Sequence, residues 1–218
     1  MPPSGRALVT ETLEYGGGRR VTAYVPHERV ENVVYAADGG WHIDVLGEAV
    51  DRTGRPTTMV VGVHGRPDDD GRLGEYVLGV DPECFDAHER FFVDDVSRWV
   101  RSRFGIALPA ERVAVWGASL GAEFALAMGL RHPDVFGTVL AASPGAGYRP
   151  PTPLRDPVPR VYLVAGRQEP FFLGNARRWA SALHDAEVDV VLRERDGEHG
   201  GEFWGAELPA MLAWAFGT

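Results

Sequence analysis

Short apolar segments alternate with longer amphipathic segments along this chain, and that order restricts the fold more than any other feature. Short apolar runs are typical of strands that are buried on both faces of a sheet. The predicted strands cover 7–14, 19–25, 32–36, 58–63, 112–116, 135–142, 160–165 and 187–193. The predicted helices cover 41–51, 85–104, 120–131, 173–185 and 203–216. This alternation predicts an α/β fold with a mostly parallel central sheet and helices on both faces.

The segments between the predicted elements complete this outline. The glycines at 16–18 separate two alternating segments, so we expect a hairpin with antiparallel strands at the N-terminal edge of the sheet. The segment 64–76 (HGRPDDDGRLGEY) is predicted to be a polar loop, and the proline-rich segment 143–159 an irregular surface loop. No repeat or shift in composition divides the chain, and residues 1–218 are therefore predicted to form one domain.

Composition excludes several classes of protein. The chain contains no lysine, which excludes a P-loop lysine, a pyridoxal-phosphate Schiff base and a lysine nucleophile. A net charge of −9 argues against a nucleic-acid partner. The single cysteine, Cys84, excludes cysteine-cluster metal sites and an internal disulfide. The first 15 residues lack a signal-peptide pattern and no apolar run has the length of a membrane span, so we expect a cytoplasmic protein.

The strongest chemical signal is the pattern G-x-S-x-G at residues 117–121, between the predicted strand 112–116 and the predicted helix 120–131. In the α/β-hydrolase fold a serine at such a corner is the nucleophile. The turn also places Ser119 at the positive end of the following helix, which stabilises a developing oxyanion. The pattern therefore predicts a single α/β-hydrolase domain with Ser119 as its nucleophile.

The general base is selected by chain order, because in this fold the acid and then the histidine follow the serine. Of the seven histidines only His132, His184 and His199 follow Ser119. His132 is predicted to interact with the C-terminal end of its helix, and His184 lies late in an exposed helix. His199 lies in the glycine-rich segment 197–201, between the last predicted strand and the last predicted helix, and is therefore the predicted base.

The acid is expected directly after the strand 160–165. Glu169 lies there and is the predicted acid; Asp185, Asp189 and Asp196 are the alternatives.

The oxyanion requires two backbone donors. One is the N–H of Leu120, directly after the nucleophile, and the second comes from the loop after the third strand. That loop contains Gly40 and Trp41, either of which is a candidate. His64 and Gly65 follow the next strand and are the weaker alternative.

The acidic run at 68–71 lacks the ligand spacing of a calcium loop, and no metal site is expected there. Next to it, Arg72 either pairs with Glu75 or binds an anionic group of the substrate; the sequence leaves both open.

Six motifs in the same order resemble the esterase-D and enterochelin-esterase group of α/β-hydrolases. They are DGGW (38–41), RLGEY (72–76), GASLGAEFAL (117–126), RHPDVFGTVLAASPG (131–145), GRQEPFFLGNARRWASAL (166–183) and DGEHGGEFW (196–204). The resemblance implies the fold and a triad of Ser119, Glu169 and His199, and it places the family's R-x-x-E motif at Arg72 and Glu75.

Two departures from this group concern the substrate. The family's GGHD-W motif reads GEHGGEFW here, and we expect no counterpart of the additional N-terminal domain of enterochelin esterases. These departures weaken the inference of a siderophore substrate, and the sequence leaves that substrate class open.

Together these observations predict a serine esterase that hydrolyses a small-molecule carboxylic ester through a covalent acyl-enzyme, without metal or organic cofactor. Two alternatives stay open: an acyltransferase that uses the same triad, and a hydrolase-like binding protein without turnover. No sequence feature specifies the acyl group, the alcohol or the oligomeric state.

Overall fold

A computed structural model of the chain describes residues 7–53 and 57–217. Eight strands form one sheet. They are β1 (Ala7–Leu13), β2 (Arg19–Val25), β3 (Asn32–Ala36), β4 (Thr58–Val63), β5 (Val113–Ala118), β6 (Thr138–Ala142), β7 (Arg160–Gly166) and β8 (Val190–Arg195). Residues 1–6, part of the segment that lacks a signal-peptide pattern, lie outside the described residues.

Within the described ranges, seven α-helices connect or follow these strands. They are α1 (Gly39–Arg52), α2 (Asp69–Tyr76), α3 (Pro82–Arg90), α4 (Val96–Phe104), α5 (Leu120–Arg131), α6 (Pro170–Asp185) and α7 (Gly201–Phe216). A π-helical turn, Phe91–Asp95, joins α3 to α4, so the helix predicted over 85–104 is one continuous helical element that begins at Pro82.

The strand order is β1-β2-β4-β3-β5-β6-β7-β8. The β1–β2 hairpin is antiparallel and joins β4 in antiparallel orientation, whereas β4, β3 and the four later strands are all parallel. The predicted architecture is therefore confirmed, including the antiparallel N-terminal edge. Because parallel strands point the same way, the loops after β3, β5, β6, β7 and β8 meet at one edge of the sheet.

Alternate residues of each central strand pack on opposite layers of helices. On β3, Val33 and Tyr35 belong to the core under the α3–α4 element, α5 and α6, whereas Val34 and Ala36 belong to the core under α1 and α7. All five residues of β3 are buried. Burial on both faces explains why the central strands are apolar without a polar alternation.

The prediction of a loop over 64–76 is wrong, because the second half of this segment forms α2. The Asp68 carboxylate accepts the backbone N–H of Gly71 at 2.7 Å and caps the helix, and Asp69 and Asp70 occupy the first turn, where negative charge is favourable. Two glycines in eight residues obscure this helix in the sequence. The proline-rich segment 143–159 contains no helix or strand, as predicted.

No helix within the described ranges is both long enough and apolar enough to cross a bilayer. The assignment of residues 1–218 to one domain and the cytoplasmic location stay predictions.

Candidate active site

Ser119 is the single residue between β5 and α5, and its backbone has a positive φ of 55° with a ψ of −121°. A residue other than glycine rarely adopts such backbone angles without support from its surroundings. Gly117 provides room for the turn, since a Cβ there would overlap the carbonyl of Gly121. The corner presents the serine hydroxyl at the N-terminal end of α5, where the unpaired helix amides and the helix dipole favour negative charge.

His199 reaches Ser119 from the loop between β8 and α7. Its Nε2 lies 3.1 Å from Ser119 Oγ, within hydrogen-bond distance, and its side chain is 31% exposed. Two aromatic rings hold the imidazole: Phe172 stacks on it at 3.9 Å between centroids, and Trp204 meets it edge-on at 4.9 Å. Neither aromatic residue was among the predicted site residues, although both lie within the motifs that carry the family resemblance.

Glu169 is almost fully buried at the start of α6 and completes the chain of contacts. Its Oε2 lies 2.6 Å from His199 Nδ1. Its other oxygen, Oε1, accepts the Ser143 hydroxyl at 2.6 Å and the backbone N–H of Gly166 at 2.6 Å. With the imidazole, three groups therefore fix this carboxylate in one orientation.

Ser143 is a further residue of this network that the sequence analysis missed. It is fully buried, with φ of 51°, and follows β6 directly. It donates to Glu169 and accepts the indole N–H of Trp204 at 2.9 Å. Its position after a central parallel strand was the available signal, since functional loops in this class of fold follow such strand ends.

The alternative acids and bases lie elsewhere. Asp196 pairs with Arg167 at 2.9 Å, and Asp189 pairs with Arg160 at 2.6 Å. His132 contacts Glu89 at 2.8 Å rather than the nucleophile. Asp185 and His184 are exposed at the end of α6.

The structure distinguishes between the two candidate amides after β3. The N–H of Trp41 donates to the carbonyl of Asp38 at 2.9 Å and is therefore occupied. Within the described residues, the N–H groups of Gly40 and Leu120 have no backbone acceptor. Both belong to the first turn of a helix, α1 and α5 respectively, where free amides favour an anion.

Gly40 also lies against the ring of His64, because a Cβ at Gly40 would come within 2.8 Å of His64 Nδ1. Burial and the nearby Arg20 and Arg19 guanidinium groups lower the pKa of His64, which favours the neutral form of this ring beside the turn. An open cleft of ≈ 490 Å³ begins here, with Gly40, Trp41 and Arg66 in its wall.

Arg72 does not pair with Glu75, so that alternative is wrong. The Arg72 guanidinium binds Asp38 instead, and Glu75 is paired with Arg19 at 2.6 Å. Arg72 on α2 therefore contacts the turn after β3, whereas Glu75 on the same helix contacts Arg19 at the start of β2. Among residues 7–53 and 57–217, no cluster of His, Cys, Asp and Glu suited to a metal ion occurs.

Glu123 is a buried acid next to the site that the sequence analysis did not single out. It lies one helical turn after Ser119 on α5 and is 3% exposed. Burial raises its pKa to about 7, although the backbone amides of Gly147 and Tyr148 lower it in part.

Comparison with known proteins places the chain in a family. A sequence model of the family described as “Putative esterase” matches residues 16–152. No curated protein matches the chain.

Similar solved structures are esterases and a related hydrolase, all at low sequence identity. The enterobactin esterase of Shigella flexneri has a TM-score of 0.78 at 21% identity, covering 99% of this chain and 60% of that one. A ferulic acid esterase has a TM-score of 0.73 at 19% identity, over 97% and 98% of the two chains. The S-formylglutathione hydrolase of Staphylococcus aureus has a TM-score of 0.73 at 12% identity, over 99% of each chain. The present chain thus spans about 60% of the length of the Shigella enzyme. These structural similarities confirm the predicted α/β-hydrolase fold.

Proposed function

We propose that this chain, which belongs to the family described as “Putative esterase”, hydrolyses carboxylic esters and that Ser119, His199 and Glu169 form its catalytic triad. The observation that carries the proposal is the continuous chain of contacts from Ser119 Oγ to His199 Nε2 (3.1 Å) and from His199 Nδ1 to Glu169 Oε2 (2.6 Å). It begins at a strand-to-helix corner at which Ser119 has a positive φ.

In the first half of the reaction, Ser119 Oγ attacks the ester carbonyl while His199 Nε2 accepts its proton. The amides of Leu120 and Gly40 stabilise the tetrahedral oxyanion. His199 then donates the proton to the departing alcohol, which leaves an acyl group on Ser119.

In the second half, water replaces the alcohol: His199 removes a proton from water, the hydroxide attacks the acyl carbon, and Ser119 leaves with that proton. Glu169 keeps the imidazole in the tautomer that bears a proton on Nδ1 and stabilises the imidazolium, without taking the proton itself. The substrate is a small-molecule ester; acyl transfer to an alcohol differs only in this half of the reaction. The family assignment favours an enzyme over the binding protein considered as an alternative.

The nucleophile is tested by covalent labelling. Ser119→Ala is expected to lower kcat by roughly 10⁴- to 10⁶-fold, or about 5 to 8 kcal/mol of barrier. A fluorophosphonate should add one mass adduct to the wild type and none to the variant. Labelling that survives in Ser119→Ala would assign the nucleophile elsewhere.

The base is tested by a matched pair of histidine variants. His199→Ala should abolish turnover, whereas His184→Ala, at an exposed position on α6, should retain it within a few-fold. Equal losses from both variants, with folding intact, would move the base. Product analysis with an added alcohol separates hydrolysis from acyl transfer.

A further inference from the structure

We propose that the buried ion pair between Asp38 and Arg72, together with Tyr76, positions the turn that presents the Gly40 amide to the oxyanion. Arg72 is thereby a positioning residue and not a receptor for an anionic substrate group. This inference rests on the proposed function, because it assigns a supporting structure to the oxyanion site of the same reaction.

The turn depends on Asp38, the residue from which the chain enters α1. Asp38 is left-handed, with φ of 54° and ψ of 35°, an arrangement uncommon for a residue other than glycine. Its carbonyl accepts the Trp41 N–H, and the Gly40 N–H is left free in the described chain. The direction of the Gly40 amide therefore follows from the backbone angles that Asp38 adopts.

Residues of helix α2 contact both the backbone and the side chain of Asp38. The carboxylate is 2% exposed and accepts two hydrogen bonds from Arg72, from Nε at 2.9 Å and from Nη2 at 2.5 Å. The Tyr76 hydroxyl donates to the same carboxylate at 3.2 Å and accepts the Asp38 backbone N–H at 3.1 Å. A bidentate pair and a backbone contact together fix the residue more firmly than a single hydrogen bond.

The same ion pair lies between the turn and the nucleophile helix. The Arg72 guanidinium lies 5.5 Å from the centroid of the Trp41 ring, the residue after Gly40. On the other side lies Gly121, two residues after Ser119 on α5. A Cβ on Gly121 would lie 3.2 Å from Asp38 Oδ2. Movement of Asp38 would therefore displace the Gly40 amide relative to Ser119.

A positioning role and a substrate-binding role for Arg72 predict different kinetics. Asp38 accepts two N–H groups of the planar Arg72 guanidinium at once. A lysine ammonium carries the same charge but cannot offer that paired geometry. Arg72→Lys therefore keeps the charge that an anionic substrate would need but loses the geometry that Asp38 needs. A displaced oxyanion donor lowers kcat, whereas a lost substrate contact raises KM.

The experiment compares a neutral ester, p-nitrophenyl butyrate, with an anionic one, p-nitrophenyl hemisuccinate, in the variants Asp38→Asn and Arg72→Lys. We expect kcat to fall by about 10- to 100-fold on both esters with KM within about threefold of wild type. The inhibition constant of phenylboronic acid, whose tetrahedral adduct occupies the same oxyanion site, should rise by a similar factor.

Two further variants guard against general destabilisation. Arg131→Lys disrupts another bidentate pair, with Glu89, at the far end of α5 and should leave kcat unchanged. Tyr76→Phe keeps the buried ring and removes only the hydroxyl, so it serves if Asp38→Asn does not fold; its kcat should fall by about 3- to 10-fold.

Unchanged kcat in Arg72→Lys and Tyr76→Phe would overturn the proposal, and so would a rise in KM confined to the anionic ester, which would identify Arg72 as a substrate receptor. Failure of the triad itself is distinguishable, because it would leave Ser119→Ala active on both esters.

Discussion

Replacing Glu123 with glutamine is expected to remove a loss of stability that the wild type shows as pH rises from 5 to 8. Glu123 is 3% exposed on α5, and its Oε2 is buried without a hydrogen-bond partner among the described residues. Burial raises its pKa from 4.5 to about 7. The charged form is therefore penalised in the folded protein.

The sign follows from proton binding. In the unfolded chain the carboxyl ionises near 4.5, whereas in the folded protein it keeps its proton until about pH 7. Between these values the folded state binds more protons, so the free energy of unfolding falls with rising pH. At about 1.4 kcal/mol for each unit of pKa, the loss contributed by Glu123 between pH 5 and pH 8 is about 2.5 kcal/mol.

Urea unfolding followed by circular dichroism at pH 5, 6, 7 and 8 measures this contribution. The free energy of unfolding of Glu123→Gln minus that of wild type should increase by about 2.5 kcal/mol from pH 5 to pH 8. Its value at any single pH also contains the cost of burying an amide that lacks a partner. The matched control is Glu111→Gln, at an exposed position, which should leave the pH dependence unchanged. Parallel curves for Glu123→Gln and wild type would refute the reasoning.

Three further expectations concern the core and the triad. His88 is fully buried among aromatic rings, and burial lowers its pKa to about 3, so its neutral form stabilises the fold above pH 6.5 and stability is lost as pH falls toward 3. Between pH 7 and pH 5, the free energy of unfolding measured in urea should therefore fall by about 2 kcal/mol less in His88→Phe than in wild type. An identical pH dependence in the two proteins would contradict this. Ser143→Ala removes one donor to the Glu169 carboxylate and should lower kcat on a neutral ester by about 10-fold at similar KM; a change of less than twofold would make this contact dispensable. Glu169→Gln should cost roughly 10²- to 10⁴-fold in kcat and Asp196→Asn only a few-fold, and the reverse order would reassign the acid.

The outline of the fold could be predicted because it depends on patterns of apolar and polar residues within single segments of the chain. Apolar segments that are buried on both faces, such as β3 and β4, differ clearly from amphipathic helices. The helix α2 could not be predicted in this way, since Gly71 and Gly74 lower its intrinsic helix propensity. Its contacts with the turn at Asp38 and with Arg19 join segments that are more than 30 residues apart, and no local pattern contains them.

The positions of Ser119, Glu169 and His199 could be predicted because each follows a parallel strand, and such strand ends meet at one edge of the sheet. The residues that fix these groups were missed for a different reason. Phe172 and Trp204 contact His199 from two helices, and Ser143 forms hydrogen bonds from the loop after β6. An aromatic residue in a helix has no sequence feature that distinguishes a site contact from a core contact. The partner of Arg72 was likewise set by the tertiary fold rather than by spacing on its own helix.

The proline-rich loop after β6 has consequences for redesign of the enzyme, because it divides into an anchored part and a free part. Its first residues, from Ser143 to Tyr148, contact Glu169, Trp204 and the buried Glu123. Residues 151–153 and 155–157 are exposed, with Leu154 between them packed against the core. A grafted lid that narrows substrate choice would therefore be tolerated at 151–153 or 155–157, whereas the same insertion before Arg149 would disturb the triad.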